Sequence, residues 1–302
     1  MPESAALVPH RQRFAAKLVD RLAGAASCSA GRSLRSFGGM VTRDGFDITV
    51  HTSGDGPRHL VLVHGFRNAG GVWRPLMERL PHGYTAIAPD LLGCGTSGRP
   101  ASWERCTGSA YARDVAALIE DLELDRPVLV GHSLGAGVGI RVALDRPGLL
   151  RGLVLVSPTS TRGIDFISPE QIEAHLHPTD DELVSFAHAA FRRPPPPDLV
   201  DQVLDVVRSA SPQHVEGVMR SMRDFCVEPE LAQLACRTLV IAGDRDRHVP
   251  IRNHLATAMA IPRRGLQVFA DVGHVPWVEV PDEFDRVLLR FLDQVWETDA
   301  GT

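Results

Sequence analysis

Short apolar runs separated by amphipathic stretches dominate the chain from residue 46 onward. Phe46, Ile48 and Val50 alternate with polar residues, the period of a half-buried strand, and Gly54-Asp55-Gly56-Pro57 supplies a turn after them. Four short apolar runs follow, Leu60–Val63, Ala86–Ala88, Val128–Val130 and Leu153–Val156, with helical spacing between them at 110–122 and 134–146. Strands without a polar face, alternating with helices, predict a parallel sheet covered on both sides.

The alternation stops at Ser157-Pro158. Residues 168–223 read as helix only, broken at Pro178, at the Pro194–Pro197 run and at Pro212. The four prolines predict a stiff extended connector. The apolar runs resume at Thr238–Ile241 and Leu266–Phe269, and a helix over about 282–296 closes the pattern. One α/β core, residues 36–157 and 231–302, is therefore expected to be interrupted by a helical insertion, 158–230, folded over the sheet as a cap. Residues 1–35 form an N-terminal extension. Within it Phe14, Leu18 and Leu22 recur among Arg11, Arg13, Lys17 and Arg21, predicting an amphipathic helix over 11–23. Its apolar stripe is narrow, so it is expected to pack on the chain's own core or on a sister subunit, a route to a homo-oligomer.

Composition mainly excludes. The chain has 302 residues, 44% hydrophobic, with net charge −5 and mixed signs throughout, so it lacks the basic stripe that nucleic-acid binding needs. No run reaches the length of a membrane span. Cys28, Cys94, Cys106, Cys226 and Cys236 are odd in number and contain no CxxC pair. They read as reduced thiols of a cytoplasmic protein, with neither a zinc site nor a disulfide framework. Lys17 is the sole lysine and follows no strand, which disfavours Schiff-base chemistry and a phosphate-binding loop.

The chemistry gathers after strand ends. Gly131-His132-Ser133-Leu134-Gly135 follows Val128–Val130 and opens a helical stretch. A serine on so tight a strand-to-helix turn needs neighbours without a Cβ, and the helix start aims amides at an anion forming beside it. His64-Gly65-Phe66 ends an earlier strand; its turn would bring the Phe66 N–H beside the Leu134 N–H as an oxyanion hole, in which one donor is worth about 3–4 kcal/mol. His64 itself is expected to brace that loop. Beyond the insertion, Gly243-Asp244-Arg245-Asp246 and Gly273-His274 each follow a strand, where side chains converge at the carboxyl edge of a parallel sheet. Two aspartates compete for the acid.

Together with Asp90-Leu91-Leu92-Gly93-Cys94-Gly95-Thr96-Ser97, Val249-Pro250 and the stretch from Gly273 through Glu279 and Pro281, these motifs make residues 40–296 resemble the α/β-hydrolase superfamily. The match is to its capped branch of esterases, lactonases, carbon–carbon hydrolases and cofactor-free perhydrolases. The resemblance implies an eight-stranded, mostly parallel sheet with helices on both faces. It also implies Ser133 as nucleophile, His274 as base and Asp246, three residues after the glycine, as the orienting acid. Dehalogenases and epoxide hydrolases of similar pattern carry an aspartate where this chain has Ser133, and epoxide hydrolases also use cap tyrosines. Tyr84 and Tyr111 both precede the cap.

The expected reaction is cleavage of a carboxylic ester, lactone or thioester of a small, largely apolar substrate, with no metal or organic cofactor. Carbon–carbon hydrolysis or perhydrolysis by the same residues, and a non-catalytic ligand-binding protein of this fold, are the rival readings. Arg67, Trp73, Met219, His248, Val275 and Trp277 are expected to line the pocket. His132 is expected to point away from it, and His175 and His177, two residues apart on a helix, lie on different faces and form no metal pair.

Overall fold

The structure, a computed structural model, describes residues 36–164 and 167–297; the predicted N-terminal helix and its sister-subunit contact lie outside them. Eight strands form one sheet: β1 (Ser36–Arg43), β2 (Phe46–Gly54), β3 (Arg58–Val63), β4 (Tyr84–Pro89), β5 (Val128–His132), β6 (Gly152–Val156), β7 (Arg237–Gly243) and β8 (Arg264–Phe269). Their order is β1-β2-β4-β3-β5-β6-β7-β8. The β1–β2 and β2–β4 pairings are antiparallel and all others parallel.

Ten α-helices accompany the strands among the described residues. They are α1 (Arg74–Arg79), α2 (Gly108–Asp121), α3 (Leu134–Asp145), α4 (Pro169–Leu176), α5 (Asp180–Ala189), α6 (Pro197–Ser209), α7 (Pro212–Asp224), α8 (Ile251–Ala260), α9 (Pro276–Glu279) and α10 (Pro281–Glu297). None is long and apolar enough to cross a membrane. Every residue of β5 and β6 is buried, which explains their uninterrupted apolar runs. Neighbouring side chains serve opposite cores: Val61 and Leu129 pack with Ile119, Val138 and Ala258 on one face. Leu60 and Val130 pack with Leu76, Leu288 and Leu292 on the other.

Register brings the strand ends into line. Val63 pairs with Gly131, His132 with Val156, Val156 with Ile241, and Gly243 with Phe269. The loops after β3, β5, β7 and β8 therefore leave from one edge of the sheet.

Helices α4 to α7 lie between β6 and β7. Capping boxes start two of them, Ser168 with Gln171 at α4 and Thr179 with Glu182 at α5, and prolines stand in the first turn of α4, α6 and α7. Pro197 and Pro212, at which the sequence breaks its helical pattern, are thus helix starts. Ile172, Val215 and Met219 join α4 to α7, while Leu183, Ala187, Leu204 and Val207 join α5 to α6. An antiparallel bridge between Arg162 and Cys226 closes the base of the insertion, braced by the Arg162–Glu228 ion pair.

Candidate active site

Ser133 stands between β5 and α3 at φ 52° and ψ −112°. That left-handed backbone costs on the order of 1–3 kcal/mol for a residue with a Cβ. Its neighbours have no such latitude. A Cβ on Gly131 would lie 2.2 Å from the Gly135 carbonyl oxygen, and one on Gly135 would lie 2.2 Å from that of Val63. The Ser133 N–H donates to Val156 O at 2.9 Å, and its carbonyl accepts the Ala136 N–H at 3.0 Å, so the turn is tied to β6 and to α3.

The loop after β3 approaches the serine closely: a Cβ on Gly65 would lie 3.3 Å from Ser133 Cβ. His64 braces this loop. Its Nδ1–H donates to Gly65 O at 2.8 Å, and its Nε2 accepts the Leu91 N–H at 3.0 Å. The Phe66 and Leu134 N–H groups are engaged by no other group among the described residues. Arg67 also has a left-handed backbone, φ 52°. Its N–H donates to His214 Nε2 at 3.1 Å, and its guanidinium donates to the His175 carbonyl in α4. His214 in turn donates from Nδ1 to Tyr111 Oη at 2.8 Å, and Tyr111 O–H donates to Leu92 O at 2.8 Å. A directed hydrogen-bond chain thus ties the Phe66–Arg67 loop to α7 of the insertion and to the core.

Asp246 and His274 meet across the β7 and β8 loops. His274 Nδ1–H donates to Asp246 Oδ2 at 2.7 Å, with the carboxylate fully buried. Asp246 Oδ1 accepts the His248 and Val249 N–H groups, each at 2.9 Å. Burial pushes this carboxyl up, but the His274 charge and the bonds from His254, His274 and Val249 outweigh it and hold it far below the usual carboxylate range. Asp244 instead takes the Val272 N–H at 3.4 Å and faces Arg245. Of the two aspartates, Asp246 is the one bonded to His274.

The predicted pocket residues divide. His248 lies beside His274, ring centroids 4.9 Å apart, and beside Phe186 of α5 at 4.7 Å. Phe186 also meets Phe66 edge-on at 6.2 Å. Met219 packs in an apolar cluster that includes Phe66. Val275 is buried in the core cluster of the β8 side. Trp73 and Trp277 correct the sequence expectation: both are wholly buried and stack on each other with centroids 4.5 Å apart. They wedge against His132 from behind, at 6.4 and 4.7 Å, so they pack the loops rather than line a pocket. His132 donates from Nε2 to His274 O at 3.1 Å. His175 and His177 are exposed.

Sequence reasoning missed the residues that join the insertion to the base. The His274 N–H donates to Ala190 O, just past α5, at 2.8 Å. Glu279 accepts the Gly273 N–H at 2.8 Å and the Arg192 N–H at 2.7 Å. It also missed His254, Phe186 and His214, none of which belongs to a recognisable motif.

The buried imidazoles make an acid-sensitive fold. Burial first, and then the His274 charge, pushes His248 down from 6.5 to about 4. An unfolded chain takes up that proton below about pH 6.5, whereas the folded ring resists it to about pH 4. Stability is therefore complete above this window and falls as pH drops through it, by roughly 3 kcal/mol from this ring. Burial depresses His64, His132 and His214 in the same direction. Melting temperature followed from pH 7 to 4 should fall steadily; a flat profile would mean that these rings are charged in the fold.

The chain is similar to known proteins in sequence and in fold. The profile described as "Alpha/beta hydrolase family" matches residues 60–287. A 2-hydroxymuconate semialdehyde hydrolase of Pseudomonas sp. (strain CF600) is 28% identical over 85% of this chain and 94% of its own. Among solved structures, a thermophilic esterase from Thermogutta terrifontis is 25% identical with a TM-score of 0.73, covering 87% of this chain and 99% of the other. An N-acyl homoserine lactone degrading enzyme is 27% identical with a TM-score of 0.71, covering 83% and 99%.

Proposed function

Because the chain belongs to the alpha/beta hydrolase family, we propose that it is a serine hydrolase of ester-like bonds in small, largely apolar substrates. Ser133 is the nucleophile, His274 the base and Asp246 the acid that orients it. The observation that carries this reading is the strained Ser133 turn on the same sheet edge as the 2.7 Å His274–Asp246 bond.

His274 Nε2 accepts the Ser133 hydroxyl proton as Oγ attacks the carbonyl. The Phe66 and Leu134 amides receive the oxyanion. Collapse expels the alkoxide, which takes the proton from His274, and a water deprotonated by His274 releases the acid from the acyl-enzyme. Asp246 holds the imidazole tautomer with its bare nitrogen toward the serine. The helical insertion acts as a cap, and its Phe186 and Met219 select the acyl group together with Phe66 and His248. The semialdehyde hydrolase relative supports a second reading, carbon–carbon cleavage by the same residues.

A substrate panel tests both readings. Nitrophenyl esters of increasing acyl length, N-acyl homoserine lactones and vinylogous diketo acids would be assayed on the wild type and on Met219→Ala. Turnover of esters or lactones, with their ranking shifted toward longer chains in Met219→Ala, is the expected result. Turnover confined to the diketo acids would replace ester cleavage by carbon–carbon cleavage. Failure of the whole panel, with no covalent labelling by a fluorophosphonate, would leave a ligand-binding protein. An unchanged ranking in Met219→Ala would place selectivity in the core loops.

A further inference from the structure

The Asp246 carboxylate has two imidazoles on one oxygen. Oδ2 accepts His274 Nδ1–H at 2.7 Å and also meets His254 Nε2 at 3.2 Å. His254 lies on α8, and both its side chain and that of Asp246 are fully buried. Oδ1 is already occupied by two backbone amides. Four donors thus fill the acceptor capacity of one carboxylate with protein groups alone.

The proton positions follow from the chemistry. An ionised carboxylate only accepts, so His254 carries its hydrogen on Nε2 and leaves Nδ1 bare. That Nδ1 is buried and has no hydrogen-bond partner. An orphaned acceptor of this kind costs about 1–3 kcal/mol. A leucine would fill the same space without that cost, so the favourable contribution of this side chain lies in its bond to Asp246.

We propose that His254 is a positioning residue for the acid–base pair, fixing the Asp246 oxygen that His274 uses and sharing its charge. The inference rests on the assignment of Asp246 and His274 given above. Without the second donor, the full negative charge on Oδ2 faces the His274 imidazolium and holds its proton more tightly. With it, the carboxylate still orients the ring, yet the proton is released to the leaving group at a lower pH. The other titratable groups around the pair are His132 from the end of β5, 4.6 Å from the His274 ring, and His248 from the β7 loop at 4.9 Å. Glu279 holds the Gly273 amide from α9. From α8, His254 is the group that reaches Asp246.

Two variants of the full chain separate positioning from packing. His254→Leu keeps the volume and removes the donor, whereas His254→Gln keeps a donor at nearly the reach of Nε2. The acid limb of the kcat/KM profile should move up by roughly one pH unit in His254→Leu. Activity on the acid side then falls about tenfold, as one pH unit dictates, while the alkaline plateau stays within about threefold. His254→Gln should restore the limb. In proton NMR without substrate, the downfield N–H resonance lost in Asp246→Asn identifies the His274–Asp246 bond. It should move further downfield in His254→Leu and return in His254→Gln. An unmoved limb and resonance in His254→Leu would overturn the proposal, as would equal losses in both variants that track their melting temperatures. Turnover surviving in Ser133→Ala would overturn the serine mechanism instead, while the resonance would still report on His254.

Discussion

Ser133→Ala is expected to lower kcat on a nitrophenyl ester by roughly 10⁶-fold, the loss seen when the nucleophile of a serine protease is removed. The loss should come without unfolding. Alanine places the same Cβ at φ 52°, and the glycines that admit the turn are untouched. Melting temperature should therefore stay close to that of the wild type. A fluorophosphonate should add its mass to the peptide containing Ser133 in the wild type and to nothing in the variant. Activity retained by Ser133→Ala, or labelling that persists in it, would end the serine mechanism.

Asp246→Asn should cost about 10⁴-fold in kcat, as the corresponding change does in a serine protease, because the tautomer of the base is no longer enforced. The effect here has an added cause. Oδ1 faces two backbone N–H groups and Oδ2 faces two imidazoles, so an amide NH₂ must point at donors wherever it is placed. Asp244→Asn should change kcat by less than about threefold, since that side chain accepts a single amide at 3.4 Å and the asparagine oxygen accepts it equally well. Measuring both on one ester decides the matter; a larger loss at Asp244 would transfer the acid's role to it.

What the sequence made legible is whatever local sterics dictate. The elbow could be read because only glycine satisfies the 2.2 Å approaches at positions 131 and 135, so the requirement is written into the pentapeptide. The central strands could be read because burial on both faces leaves the runs Leu60–Val63, Val128–Val130 and Leu153–Val156 without a polar position. β1 escaped because its adjacent Gly38 and Gly39 interrupt any alternation, and because β2 is its one neighbour. Trp73 and Trp277 were misplaced for a related reason. They are next to the functional loops in sequence, but their rings point into the core behind His132, and a residue's spacing from a motif carries no information about which side of the loop it takes. His254 depends on helix phase. Eight residues after the acid, it reaches back to Asp246 because the loop from Arg247 to Pro250 sets α8 at the angle that aims it there.

The bond from the His274 N–H to Ala190 O ties the imidazole's own backbone to the segment that follows α5. If this segment swings outward to admit a substrate, that bond breaks, and the amide of the base is left to water. Outward movement of that segment is therefore opposed by the backbone of His274 itself, through an amide–carbonyl bond worth about 1 kcal/mol net.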